Sequence, residues 1–181
     1  MIISVEDLRQ YINTDEGDQA LEARLQALEL FVRGYTNNNF QVRGTCRIAD
    51  VQSGRFTVEA LNPFEVGDTL QVSRSDKNDG LYTVKEADDF MFKVNEKTRD
   101  EIDVLVTLVE YPVDVKMGVV ELMKYDLESR EKAGIQSESI SRHSVTYQAL
   151  DANNTVHGYP VHLMGFLKHY MKARFGQGLR V

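Results

Sequence analysis

The chain has 181 residues, of which 42% are hydrophobic and 27% are charged, so a folded protein of about one or two domains is expected. A formal net charge of −7 argues against general nucleic-acid binding, which requires a basic surface. The single cysteine, Cys46, excludes an intrachain disulfide and fits a reducing compartment. The sequence contains neither the pattern of a signal peptide nor an apolar run that could span a bilayer. We therefore expect a soluble protein without membrane contact, made in the cytoplasm.

The first 40 residues predict a helical hairpin. Ser4 and Asp7 resemble a capping box, which predicts a short helix ending near Asn13. Asp18 is expected to cap a second helix, and Asn37–Asn39 are expected to end it, because Asn tolerates the left-handed geometry of a helix exit. The apolar residues of this second helix recur at helical spacing: Leu21, Leu25, Leu28, Val32 and Tyr35.

Residues 42–110 show a different period, because apolar and polar residues alternate there. With turn signals between the runs, this predicts about six short strands in a small β-barrel or sandwich. Asn78-Asp79-Gly80 indicates a tight hairpin turn. Cys46 is predicted to be buried and unreactive. The predicted inward-facing residues are Cys46, Ile48, Phe56, Val58, Leu70, Val72, Tyr82, Val84, Phe90, Phe92, Val94, Ile102, Val104, Val106 and Leu108.

Beyond the strands, Pro112 predicts a new helix that is apolar on nearly every side and therefore buried on nearly every side. The following segment, Gly134–Tyr147, is too rich in hydroxyls for a helix and too polar for a core. We expect it to become ordered against another molecule. A last helix is predicted from about Tyr159 to Phe175. Its main apolar face is Met164, Leu167, Met171 and Phe175.

These patterns predict an α+β protein of two domains. Residues 1–40 and 111–181 form a discontinuous helical domain of about four helices, and residues 41–110 form an inserted six-stranded β-barrel or sandwich. From Pro160 to Val181 there are four basic and no acidic residues, so the rest of the chain carries −11. A polar arm and a basic end on an acidic body indicate a subunit that docks to its neighbours. Lys168 and Lys172, predicted to lie one helical turn apart, are either solvated or contact a phosphate or an acidic neighbour.

The sequence contains no convincing catalytic or metal site. His162 and His169 lack a carboxylate or a cysteine at ligand spacing. His143 and Ser144 are adjacent in a segment expected to be extended, so their side chains point to opposite sides and cannot form a nucleophile–base pair. We therefore expect no enzymatic activity, no cofactor and no metal.

Three stretches of the helical domain resemble the head–tail connector (adaptor or head-completion) proteins of tailed phages and prophages. They are residues 4–40, residues 111–147 and residues 158–176, and they belong to the helical domain, which makes up about three-fifths of the chain. The most specific part is Gly134–Tyr147 followed by Tyr159-Pro160 and Phe166–Lys168. The inserted barrel departs from the minimal family pattern, in which the long helices are joined more directly, so the resemblance implies nothing about what the barrel does.

The resemblance implies a non-enzymatic virion protein at the head–tail interface, assembled as a dodecameric ring below the portal. Such a ring extends the DNA channel, helps retain packaged DNA and joins head to tail. The implied partners are other copies of the chain, the portal protein, the next connector or tail component, and DNA that passes without sequence recognition. The residues implied to contact neighbouring subunits or the portal are Ser137, Glu138, Ile140, Arg142, His143, Val145, Tyr147, Lys168, Lys172, Arg174 and Arg180.

The alternative is a nucleic-acid-binding module, with the barrel as an OB- or SH3-like reader and the basic C-terminal helix as a clamp. Such a reader stacks bases on exposed aromatic residues. Phe56, Tyr82, Phe90 and Phe92 are available, but the alternation places most of them inward. Residues 41–110 also hold nine basic and fourteen acidic residues, a net charge of −5 that repels phosphate. A third interpretation, a hydrolase, lacks a convergent acid, base and nucleophile.

Overall fold

A computed structural model describes residues 1–128, 137–140, 143–146 and 155–173. The chain divides into two compact units. One unit contains Met1 and Asn39–Tyr111, and the other contains Ile2–Asn38 and the described part of Pro112–Val181. The fold is α+β, with a β-barrel in the first unit and about four helices in the second. Among the described residues, no helix has the length and apolar character needed to cross a membrane.

Six antiparallel strands of the first unit form a closed barrel, which confirms the predicted strand number and decides between barrel and sandwich. The strands are β1 Arg47–Gln52, β2 Arg55–Val58, β3 Thr69–Ser73, β4 Gly80–Asp88, β5 Met91–Val94 and β6 Glu101–Val109. Their order around the barrel is β1-β2-β5-β4-β3-β6, and pairing of β6 with β1 closes it. Closure gives every strand two neighbours, so the barrel presents no open sheet edge.

Side chains fill the barrel interior. The rings of Phe56 and Phe92 are stacked with their centroids 4.8 Å apart, and the ring of Phe64 meets Phe92 edge-on at 5.3 Å. Aliphatic residues from all six strands surround these rings. The buried cluster comprises Ala49, Val51, Phe56, Val58, Phe64, Leu70, Val72, Tyr82, Val84, Phe92, Val94, Val104 and Val106. The barrel therefore has a hydrophobic core of its own.

The predicted facing of β1 is wrong by one residue. Cys46 is exposed just before the strand begins, and the side chain of Ile48 is 60% exposed. Ala49 and Val51 are buried instead. Both Cys46 with Ile48 and Ala49 with Val51 fit the alternation of sides in a strand. The pairing of β1 with β6 decides which of the two pairs faces inward. Ala49 lies opposite Val104 of β6, and residues directly opposite each other share a face.

Two other residues predicted to face inward also differ. Phe90 is 55% exposed because it lies in the turn between β4 and β5 rather than within a strand. Ile102 is 72% exposed at a β-bulge, where the register between β1 and β6 shifts. An extra residue in one strand interrupts the alternation of sides. Leu108 is half-buried and packs against the barrel core, in agreement with its predicted position.

The connection between β3 and β4 is a six-residue loop and not the predicted tight turn. These strands pair as neighbours, but residues 74–79 lie between them. The carboxylate of Glu101 organises the loop by accepting hydrogen bonds from the Ser75 hydroxyl, the Asp76 N–H and the Asn78 amide. These bonds favour the charged form and lower the pKa of Glu101, with the Ser75 hydrogen bond as the largest cause.

The described residues of the second unit form four helices and two small hairpins. The helices are α1 Val5–Arg9, α2 Asp18–Thr36, α3 Val113–Glu128 and a 3-10 helix at Val161–Tyr170. The hairpin strands are β7 Ser137–Ile140, β8 His143–Thr146, β9 Thr155–Val156 and β10 Tyr159–Pro160. Contacts join α2, α3 and the 3-10 helix to one another.

The first helical turns follow the sequence signals only in part. Ser4 caps α1 as predicted, since its hydroxyl oxygen accepts a backbone N–H at 3.0 Å. The helix then ends at Arg9, several residues before the predicted Asn13. Gly17 occupies the N-cap of α2 without a side-chain bond, so the predicted cap by Asp18 is wrong. The Asp18 carboxylate instead pairs with the Arg9 guanidinium at 2.7 Å.

The long helices bury the predicted stripes, with one correction. In α2 Leu21, Leu25, Leu28 and Val32 are buried and Tyr35 is half-buried. Asn37 ends the helix in the left-handed conformation, with φ of 50°.

Helix α3 buries Val115, Val119 and Leu122. It is not buried on nearly every side, because Val113 is 74% exposed and Met117 is 36% exposed. These two residues are one turn apart and share a face.

Candidate functional site

The polar segment that the sequence singled out contains a β-hairpin. Strands β7 and β8 pair antiparallel, with Ser137 opposite Thr146 and Ile140 opposite His143. Among the described strands, the two form a sheet of their own with no third member. The predicted site residues Ser137, Glu138, Ile140, His143 and Val145 are thereby brought into one element. Arg142 and Tyr147 lie outside the described residues.

The register pairs residues of similar chemistry in part of the hairpin. Ser137 lies opposite Thr146 and Ser139 lies opposite Ser144, so these two pairs consist of hydroxyl residues. Glu138 lies opposite Val145 and Ile140 lies opposite His143, so the aliphatic residues of the hairpin belong to the other two pairs.

A second, smaller hairpin precedes the 3-10 helix and was not predicted. His157 and Gly158 connect β9 to β10 with φ of 52° and 85°, the positive values that a two-residue type I′ turn requires. The detectable signal was a glycine between two apolar residues, Val156 and Tyr159. The buried Tyr159 hydroxyl donates to the buried carboxylate of Asp126 on α3 at 2.6 Å.

The predicted last α-helix, from about Tyr159 to Phe175, is instead a 3-10 helix limited to Val161–Tyr170. Met164 and Leu167 are buried as predicted, whereas Met171 follows the helix and is 53% exposed. A 3-10 helix has about three residues per turn, which keeps residues 164, 167 and 170 on one side. Phe175 lies outside the described residues.

Two contacts join this helix to α3. The Phe166 ring lies so close to Gly118 that a Cβ added to the glycine would be 2.5 Å from ring carbons. The Tyr170 hydroxyl lies 2.7 and 2.9 Å from the two carboxylate oxygens of Asp114. This hydrogen bond is the largest cause of the raised pKa of Tyr170. Gly118, an apparently unfavourable residue within a helix, was the sequence signal for the close approach.

The residues after the 3-10 helix lie along the end of α2. The Lys172 N–H donates to the Thr36 carbonyl at 2.8 Å. The side-chain amide of Asn37 donates to the Ala173 carbonyl at 3.0 Å, and that of Asn38 to the Tyr170 carbonyl at 3.3 Å. We call Thr36, Asn37 and Asn38 the α2 clamp. It contacts main-chain atoms of residues 170–173, and sequence analysis had recognised these asparagines only as the end of a helix.

The end of the 3-10 helix lies between Lys168 and Lys172, the two basic site residues that the structure describes. Lys168 is exposed within the 3-10 helix, and Lys172 is exposed in the extended residues beyond it. The prediction that they lie one helical turn apart is therefore wrong, because the helix ends at Tyr170. Arg174 and Arg180 lie outside the described residues.

The described residues offer little for catalysis or base stacking. No group of three His, Cys, Asp or Glu residues among them could hold a metal ion. Within the barrel, the rings of Phe56, Tyr82 and Phe92 belong to the buried core, whereas Phe90 is exposed. The predicted contact residues that the structure describes lie in the hairpin and at Lys168 and Lys172.

No model of a known protein family matches this chain, and no curated protein matches it. What the protein does is therefore inferred from its own residues and their geometry.

Proposed function

We propose that this protein is a non-enzymatic structural protein of a tailed-phage virion, a head–tail connector that assembles as a ring below the portal. In this role it extends the DNA channel and joins head to tail. One observation carries the proposal: β7 and β8 form a sheet of two strands with no third strand among those described. The resemblance of the helical stretches to connectors supports the same conclusion.

A two-stranded hairpin is suited to docking. Two strands alone are marginally stable in water, and the edge of a two-stranded sheet can add a strand from another chain. A polar segment that becomes ordered only on assembly loses its conformational entropy at that step, which suits a contact made late. A neighbouring subunit or the portal protein fits this requirement.

The distribution of charge supports a ring made of identical subunits. Closed rings require heterologous interfaces, in which two different surfaces of one subunit meet. The region from Pro160 onward is basic, whereas the rest of the chain carries −11. Lys168 and Lys172 are exposed and available to an acidic neighbour.

The barrel is a poor nucleic-acid reader, and this argues against the alternative function. Its large rings are in the core, apart from Phe90, and residues 41–110 carry a net charge of −5. Affinity for phosphate comes from Lys and Arg. An acidic surface beside a channel would instead let DNA pass without sticking.

The first test is negative-stain electron microscopy of the purified protein at high concentration, alone and with portal-containing heads. The proposal expects rings, or added density at the portal vertex. Protein that remains monomeric and also ignores the heads would overturn it, and a salt-dependent gel shift with short DNA would then support the nucleic-acid module.

A set of variants tests whether the hairpin carries assembly. Replacing residues 137–146 with ten Gly and Ser residues should leave the melting temperature unchanged and abolish binding to heads. The pair Ile140→Ser and Val145→Ser removes the two aliphatic residues of the hairpin and should have the same effect. Ser139→Ala with Ser144→Ala removes one pair of opposed hydroxyl residues and should retain binding. Loss of the thermal transition in the first variant would show that the segment belongs to the folded core.

A further inference from the structure

The segment Val161–Tyr170 is a 3-10 helix, but its sequence has the apolar spacing of an α-helix. It is a ten-residue 3-10 helix, although such helices rarely exceed about four residues because their hydrogen bonds have poorer geometry. Its apolar residues Met164, Leu167 and Met171 have the spacing of an α-helix, yet Met171 is 53% exposed. Conflict between local pattern and observed structure is typical of strained or functional segments.

Contacts at both ends and in the middle hold the helix extended. Tyr159, just before it, is bound to Asp126, and Tyr170 at its end is bound to Asp114. Between them, the ring of Phe166 packs on the backbone at Gly118. All three attachments are to α3, so the 3-10 helix follows α3 in the antiparallel direction.

The α2 clamp adds a fourth attachment, beyond the end of the helix. It holds the carbonyls of Tyr170 and Ala173 and the N–H of Lys172. Ten residues span about 20 Å as a 3-10 helix and about 15 Å as an α-helix. With Tyr159 fixed, rewinding would therefore draw residues 171–173 back by roughly 5 Å and out of the clamp.

We propose that residues 161–173 are a two-state strap. In the state described here the segment is a 3-10 helix and the α2 clamp is closed. In the second state it is an α-helix that continues through Met171 and covers that side chain, and the clamp has released residues 171–173. Gly165, in the middle of the segment, would meet nothing within 4 Å if it carried a Cβ, so an alanine that favours the α-helix can be placed there. As a regulator of docking this device rests on the proposed function, because release of the clamp would free residues 171–173, including the exposed Lys172, for a neighbouring subunit.

The test is NMR spectroscopy of the full chain, in which Hα–HN contacts between residues i and i+2 indicate a 3-10 helix and those between i and i+4 indicate an α-helix. The wild-type protein should show the first kind across residues 161–170. The double variant Asn37→Gly with Asn38→Ala removes both clamp amides, and glycine retains the left-handed conformation that ends α2. In this variant we expect Hα–HN contacts between residues i and i+4 to appear across residues 161–170 and to extend through Met171.

A second variant avoids any change to the clamp. Gly165→Ala favours an α-helix and meets no steric obstacle, so it should increase the α-helical population several-fold. The matched control is Gly34→Ala in α2, where an added Cβ also meets nothing within 4 Å and no conversion is expected.

Two results would overturn the strap: i to i+2 contacts that persist in both variants, or an α-helix already present in the wild-type protein. Neither result depends on virion assembly. Failure to form rings or bind heads would overturn the connector proposal and leave the strap intact.

Discussion

The barrel and the C-terminal part of the helical unit are stabilised in opposite ways. In the barrel every strand has two neighbours and the core draws residues from all six strands. In the helical unit the 3-10 helix buries Met164 and Leu167 and is otherwise held by single contacts, such as Phe166 on Gly118 and Tyr159 on Asp126. Distributed packing tolerates the loss of many surface residues, whereas single contacts concentrate stability in a few side chains. Each of the following predictions tests this difference.

The largest effect is expected in the barrel core. Phe92→Ala removes a ring that is 1% exposed and contacts both Phe56 and Phe64, so it should reduce the free energy of unfolding by about 3–5 kcal/mol. The control Phe90→Ala, at a residue two positions away that is 55% exposed, should cost less than about 0.5 kcal/mol. Denaturant unfolding measures both. Equal losses would show that Phe90 is also a core residue.

The next effect concerns the contact between α3 and the 3-10 helix. Gly118→Ala places a methyl group 2.5 Å from the Phe166 ring and should cost about 1–3 kcal/mol through overpacking. Gly34→Ala, the same change in α2 with open space around it, should be neutral or stabilising. Combining Gly118→Ala with Phe166→Leu should recover part of the loss. If the double variant loses as much as the sum of the single changes, the two residues are not in contact.

A smaller effect is expected at the buried hydroxyl of Tyr159. Tyr159→Phe removes the hydrogen bond to Asp126 and should cost about 1–3 kcal/mol, because a buried acceptor loses a donor. Tyr170→Phe removes the equivalent bond to Asp114 at an exposed position and should cost less. Thermal unfolding near neutral pH compares the two variants. A larger loss of stability for Tyr170→Phe would show that the hydrogen bond to Asp114 contributes more than the hydrogen bond between Tyr159 and Asp126.

The smallest effect is a pH dependence in the barrel. The folded pKa of Glu101 is lowered, so its contribution is present above the ordinary value of 4.5 and is lost as the pH falls through the folded pKa. Glu101→Gln should flatten the decrease in melting temperature below pH 4.5. The pKa of Glu86 is also lowered, first by its hydrogen bond to Lys93, but this pair is solvent-exposed and contributes little. Glu86→Gln should therefore retain the wild-type dependence of melting temperature on pH. A flattened dependence in this variant would show that Glu86 contributes as Glu101 does.

The parts of the fold that depend on repeated patterns were predictable from sequence. Six alternating runs predicted six strands, and the stripe of α2 predicted its buried face. In β1 the alternation of sides did not decide whether Ile48 or Ala49 faces inward. Only the pairing of β1 with β6 places Ala49 on the inner side. The bulge at Ile102 could not be predicted either. A register shift depends on how β1 and β6 pair, and the sequence of one strand alone does not determine that pairing.

The sequence singled out the segment that contains the hairpin, but it did not predict the geometry of that segment. The polar composition of Gly134–Tyr147 marked the segment, but the pairing of Ser137 with Thr146 requires knowledge of where the chain turns. The last helix was assigned the wrong type because its apolar spacing fits an α-helix. The attachments at Asp126, Gly118 and Asp114, all distant in sequence, favour the longer 3-10 form.

The two ends of the barrel segment are joined to each other. The rings of Phe40 and Tyr111 lie 4.9 Å apart, the Glu110 N–H donates to the Phe40 carbonyl, and Gln41 bridges to Val109. A segment whose ends meet spans almost no distance in the chain that carries it. A short linker in place of residues 41–110 would therefore bridge the gap between Phe40 and Tyr111. The barrel can in this way be deleted or replaced in the laboratory as a single unit.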